Sequence, residues 1–143
     1  MQPDLLTADR LAEVISHAVA PAFLLGAVAG FISILNMRMG GIIDRIRSLN
    51  AITEGDTARN ALKADIPRLK RRTRLLNQAV YLALTSGICG TLLIMAAFAS
   101  AFLGVSHEPF VALLFIVSVS LLGVSLYKFA CEVKIALHEY DHF

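Results

Sequence analysis

The chain has 143 residues, of which 57% are hydrophobic and 17% charged, with a mean hydropathy of +0.68. That balance excludes an ordinary water-soluble domain, and the length leaves room for one domain only, residues 1–143. Charge is concentrated rather than spread. Residues 38–74 hold ten of the thirteen Lys and Arg against four acids, a local charge of +6, so the rest of the chain carries −4.

A membrane span needs ~20 mostly apolar residues to cross a hydrocarbon core ~30 Å thick. Three stretches qualify: residues 14–37, 75–103 and 110–127. One such run could be a buried helix of a soluble protein, but three in so short a chain predict an all-α, three-span transmembrane bundle. The segment before the first span carries Asp4, Asp9, Arg10 and Glu13. It is net acidic, the opposite of a secretory signal, so it is expected to remain uncleaved. Lys and Arg beside spans mark the cytoplasmic side. The expected topology therefore has the N-terminus outside, the basic segment inside, and the tail 128–143 cytoplasmic at a bacterial inner membrane.

Span one contains His17, its only ionisable residue, which makes it a candidate proton or ligand site. Pro21 predicts a bend close to the outer surface. Ala22, Gly26, Gly30 and Ser33 recur every three or four residues, a stripe of small side chains that lets helix backbones approach. Span two repeats the device with Ala79, Ala83, Gly87 and Gly90. Gly26, Gly30, Ala83, Gly87 and Gly90 are therefore the expected helix-packing positions. Span three is bulkier, with Phe110, Leu113, Leu114, Phe115, Val117 and Leu121, and reads as the more lipid-exposed helix. Cys89 and Cys131 are far apart and on or beside spans, which suits small packing residues better than a disulfide.

The basic segment is not a featureless loop. Ile42, Ile43, Ile46 and Leu49 follow helical spacing, which reads as an amphipathic continuation beyond a Gly40–Gly41 hinge. Glu54, Gly55 and Asp56 mark a turn, with Asp56 or Thr57 as a helix cap. Pro67 suits the first turn of a new helix, which then runs unbroken into span two. Residues 38–74 are thus expected to form a cytoplasmic helical hairpin. Arg38, Asp44, Arg45, Arg47, Arg71 and Arg72 gather at its membrane end as an inner-boundary charge network. The tail continues in helical register, with Phe129, Val133, Leu137 and Tyr140 on one side.

Five runs carry a resemblance: PAFLLG at 21–26, NMR at 36–38, IIDRIR at 42–47, LKRR at 69–72 and RLLN at 74–77. They resemble a family of small bacterial multi-pass membrane proteins defined only as a domain of unknown function. The Asp44-Arg45-Ile46-Arg47 run after span one is its best mark, and the resemblance covers residues 15–101. Where the family often has a further basic residue, this chain has Gly40 and Gly41. The resemblance implies architecture, but no enzyme activity, cofactor or substrate.

The tail sequence His138-Glu139-Tyr140-Asp141-His142 matches H-E-x-x-H, in which two histidines hold zinc and the glutamate polarises its water. Catalytic zinc needs a third protein ligand, and the chain supplies none downstream. His138 and His142 are therefore weak metal candidates, and no cofactor is expected. No phosphate-cradling glycine loop or nucleophile elbow occurs, and the basic run lacks the aromatic residues that accompany nucleic-acid binding. The expected partners are membrane lipids, with anionic headgroups at the basic segment, and further copies of the chain or a membrane complex. The sequence is read as a non-enzymatic oligomeric or accessory subunit. The alternative is a homo-oligomeric channel lined by Ser33, Asn36, Thr85, Thr91, Ser118 and Ser125. A zinc-dependent membrane hydrolase is the remote one.

Overall fold

The computed structural model describes residues 8–105 and 108–138. In chain order these form α1 (Ala8–Asn50), a short α2 (Thr57–Asn60), a 3-10 turn (Ala61–Asp65), α3 (Ile66–Leu103) and α4 (Glu108–Leu137). No strand occurs among the described residues. The three long helices are each long and apolar enough to cross a membrane. With 43 and 38 residues, α1 and α3 are ~65 and ~57 Å long at 1.5 Å per residue, about twice a hydrocarbon core. From Pro21 onward they pair as an antiparallel hairpin that extends well past the apolar stretches.

One period governs the packing. The residues of α1 that are fully buried are Pro21, Val28, Leu35, Ile42 and Leu49, one every seven positions. In α3 two interleaved sevens are buried: Leu69, Leu76, Ala83 and Gly90, and Ala79, Ser86 and Leu93. In α4 they are Ser118, Ser125 and Glu132, again seven apart. A seven-residue repeat keeps one seam facing a partner helix and winds the helices into a left-handed supercoil. Central in the bundle, α3 lies along both α1 and α4, which otherwise touch each other little.

Side-chain size along the seam follows the surrounding solvent. Beyond the apolar stretches, Ile42, Leu49 and Leu69 pack in the main core, joined by Leu35, Leu76 and Ala79 at the edge of those stretches. Water is the alternative there, so each buried Leu or Ile contributes about 1.5–3 kcal/mol. Within the apolar stretches hydrocarbon offers no such gain, and close contact of small groups takes over. There the α3–α4 seam is built from Ala79, Ser86, Gly90, Ser118 and Ser125. Ser86 Oγ lies 2.7 Å from the Ser118 carbonyl and Ser118 Oγ lies 2.7 Å from the Ser86 carbonyl, a reciprocal pair. Seven residues further along, the Ser125 hydroxyl donates to the Ala79 carbonyl. Such hydrogen bonds contribute roughly 0.6 kcal/mol each in a membrane bundle.

The connections obey local rules. Asp56 caps α2, accepting from the Arg59 amide at 3.3 Å, and Pro67 sits in the first turn of α3. Gly104 ends α3 in the left-handed conformation at φ 67°, which a residue with a Cβ rarely adopts.

Three expectations need correction. No hinge exists at Gly40–Gly41: α1 runs helical through both and through Pro21. The small stripe of α1 does not face the bundle. Gly26 and Gly30 are exposed, and a Cβ added at either would meet nothing within 4 Å. They lie opposite the buried line of Pro21, Val28 and Leu35, whereas Ala83, Gly87 and Gly90 do face neighbours. In the tail, Phe129 and Val133 are half-buried, Leu137 is exposed and Tyr140 lies outside the described residues, while the buried position is Glu132.

Candidate functional site

The α3–α4 seam steps from Ser86–Ser118 to Ala79–Ser125 to Arg72–Glu132, seven residues on each helix at every step. The third step replaces hydroxyls with charge. Glu132 has no solvent exposure, and its carboxylate is held by two arginines from the two other long helices. Arg38 of α1 donates from Nε to Glu132 Oε2 at 3.1 Å. Arg72 of α3 donates from Nε to Oε1 at 2.9 Å, with its Nη2 also 2.9 Å away. One carboxylate therefore ties all three long helices together.

Aromatic residues close the site from the side. The Arg38 guanidinium lies 5.4 Å from the centre of the Phe129 ring, on its face. Phe31 meets the same ring edge-on, with centroids 5.6 Å apart. A cation over an aromatic face gains about 0.5–2 kcal/mol, more as water is excluded. Arg68, one turn before Arg72, donates from Nη2 to the Ile135 carbonyl at 2.9 Å, satisfying an orphan acceptor near the end of α4. Among the described residues no buried side-chain polar atom lacks a partner.

Glu132 lies about 20 Å along α4 from Val119 near the middle of the apolar stretch, which puts it at headgroup depth. Of the six residues expected to form a charge network there, only Arg38 and Arg72 converge. Asp44, Arg45, Arg47 and Arg71 are exposed, and Asp44 pairs locally with Arg47 at 3.5 Å, one turn away. Asp44, Arg47 and Arg71 are rotated off the seven-residue seam, whereas Arg45, seven residues after Arg38 on the same side of α1, lies ~10 Å further along the helix. The acid that organises the site, Glu132, went unrecognised in the sequence.

At the opposite end α1 buries nothing before Pro21, and a cleft of about 710 Å³ opens against α3 and α4. Half of its lining residues are Ala, Val or Leu, with Arg10, Glu13, His17, Ser100 and Glu108 at its polar positions. His17 is exposed and lies 4.0 Å from the Glu13 carboxylate, one turn away on the same helix. The HExxH run falls mostly outside the described residues. Only His138 is described, its amide closing the last turn of α4 onto the Lys134 carbonyl. Cys89 and Cys131 are free thiols.

Residues 18–142 match the family model described as "Protein of unknown function (DUF2721)". The chain belongs to this family. No curated protein and no solved structure matches it. The matched residues contain Arg38, Arg72 and Glu132 together with the whole serine ladder, and begin one position after His17.

Proposed function

We propose that this membrane protein is a non-enzymatic structural or regulatory subunit that assembles with copies of itself. The observation that carries the reading is the outward face of α1. Ala22, Gly26, Ala29, Gly30 and Ser33 are all exposed there. The side of α4 turned away from α3 carries bulk, with exposed Phe110, Leu113, Phe115 and Ile116, whereas on α1 the small residues fill the outward face between exposed Phe23 and Met37. A small-residue face is what a second helix needs for close backbone approach. The buried ion triad supports a static role, since it fixes the relative rotation of three helices.

A pore is the second reading, and the hydroxyl positions support it less well. Ser118 and Ser125 are spent inside the bundle, and Thr85 and Thr91 bond back to the carbonyls of Tyr81 and Gly87. The test is native mass in a mild detergent. The wild type should run as a defined oligomer, and Gly26→Leu with Gly30→Leu should release monomer of unchanged helicity. A monomeric wild type, or an oligomer indifferent to both substitutions, would reject the reading.

The orientation that goes with it places the N-terminus outside and residues 51–65 in the cytoplasm of a bacterial cell, on the charge rule. In a background lacking Cys89 and Cys131, Asp9→Cys should react with an impermeant thiol reagent on intact cells. Gly55→Cys should react only after permeabilisation. The reverse pattern would invert the topology.

A further inference from the structure

We propose that the groove between the start of α3 and the end of α4 binds the phosphate headgroup of an anionic phospholipid. The groove has a volume of about 560 Å³ and is lined by Pro67, Arg68, Arg71, Lys134, Ile135 and His138. Three of these are Arg or Lys, drawn from two helices, and no carboxylate is among the described lining residues. The nearest acid along α4, Glu132, has both oxygens engaged by Arg38 and Arg72. Neither Arg71 nor Lys134 enters an ion pair with any described residue. Arg68 is held in place by the Ile135 carbonyl, which takes one of its five N–H groups and orients the planar fork. A fixed guanidinium fork with two further cations around it fits a phosphate, whose oxygens accept several charge-assisted hydrogen bonds.

Depth selects the lipid over other anions. The apolar stretch of α3 begins at Leu75, so Arg71 lies ~6 Å beyond it and Arg68 ~10 Å. The apolar stretch of α4 ends at Tyr127, and Lys134 likewise lies ~10 Å beyond. The polar layer of a bilayer adds roughly 5–8 Å on each side of the hydrocarbon, and Arg and Lys side chains span several ångströms more. Pro67 and Ile135, each ~12 Å beyond its apolar stretch, line the groove on the side away from the hydrocarbon. Basic pockets between spans at this level are where anionic headgroups dock. The inference does not rest on the proposed self-assembly, because the groove lies on α3 and α4 and the small-residue face is on α1.

The experiment uses the full chain in nanodiscs and in detergent with added lipid, read by native mass spectrometry. Phosphatidylglycerol should remain bound where phosphatidylcholine is lost. The double variant Arg71→Gln with Lys134→Gln should weaken phosphatidylglycerol retention about tenfold or more, since each removes a cation at the surface. Arg59→Gln with Lys63→Gln removes the same charge from the neighbouring segment and should leave retention within about twofold. Arg68→Gln, measured alone, should lose retention while circular dichroism confirms an intact bundle. Equal loss in the two double variants would overturn the site in favour of diffuse surface attraction. No preference for phosphatidylglycerol over phosphatidylcholine would also overturn it. A third arm adds millimolar inorganic phosphate. Full displacement of lipid, together with phosphate binding lost in the Arg71→Gln, Lys134→Gln protein, would reassign the groove to a soluble phosphate. Retention despite phosphate supports the lipid.

Discussion

Glu132→Gln is expected to lower the unfolding free energy by about 3–5 kcal/mol, because it leaves two arginine charges facing a neutral amide. The exposure pattern sharpens the expectation. Arg72 is held at 13% side-chain exposure and has little water to turn to, whereas Arg38 at 36% can rotate outward. Arg72→Gln should therefore cost more than Arg38→Gln, since it removes the better-buried partner. A triple replacement, Glu132→Leu with Arg38→Met and Arg72→Met, separates net worth from breakage. Replacing a whole buried ion cluster by apolar groups is often neutral or stabilising, as the desolvation cost disappears with the charges. The measurement is thermal or denaturant unfolding in a fixed detergent, followed by circular dichroism. If Glu132→Gln stays within about 0.5 kcal/mol of wild type, the triad is not what ties the helices together. If the triple variant regains stability but samples several helix arrangements, the triad acts by specifying rotation.

The parts of this fold that hydropathy and turn chemistry govern were legible in the sequence. Three apolar stretches became three long helices, Asp56 became a cap, and Pro67 stands in the first turn of α3. The hairpin between spans one and two was visible in Ile42, Ile46 and Leu49. Rotation was not. The sequence reading took small residues as the mark of the packed face, which holds for Ala83, Gly87 and Gly90 but fails for Gly26 and Gly30. In α1 the packed line is Val28, Leu35, Ile42 and Leu49, ordinary aliphatic residues among many others in an apolar run. Hydropathy cannot say which of them faces protein rather than lipid. Glu132 was hidden for a related reason. It stands in a tail of mixed charge, where a single acid resembles solvated surface. The signal that could have found it is its place seven residues beyond Ser125 and fourteen beyond Ser118, opposite an arginine seven residues before Ala79. Polar groups kept in register on two antiparallel helices are spaced to meet.

Gly90→Leu should be the most disruptive substitution within the apolar part of the bundle. Gly90 is buried where α3 touches both neighbours, and even a Cβ there would lie 3.3 Å from Leu25 Cδ2 and 3.5 Å from Ser118 Oγ. The first contact is with the flexible end of a side chain, so Gly90→Ala is accommodated by a small movement of Leu25. Three more carbons cannot be. They would push Ser118 away from Ser86, breaking the reciprocal hydrogen bonds, or wedge α1 from α3 above Val28. Overpacking of this kind costs about 1–3 kcal/mol or more, and the loss of both hydroxyl bonds adds roughly 1 kcal/mol. Gly26→Leu is the matched control on α1, with nothing within 4 Å of its Cβ. At high detergent dilution, where any oligomer has dissociated, Gly26→Leu should unfold like wild type and Gly90→Leu well below it. Similar unfolding of the two would mean that α1 and α3 do not meet along the Pro21, Val28 and Leu35 line.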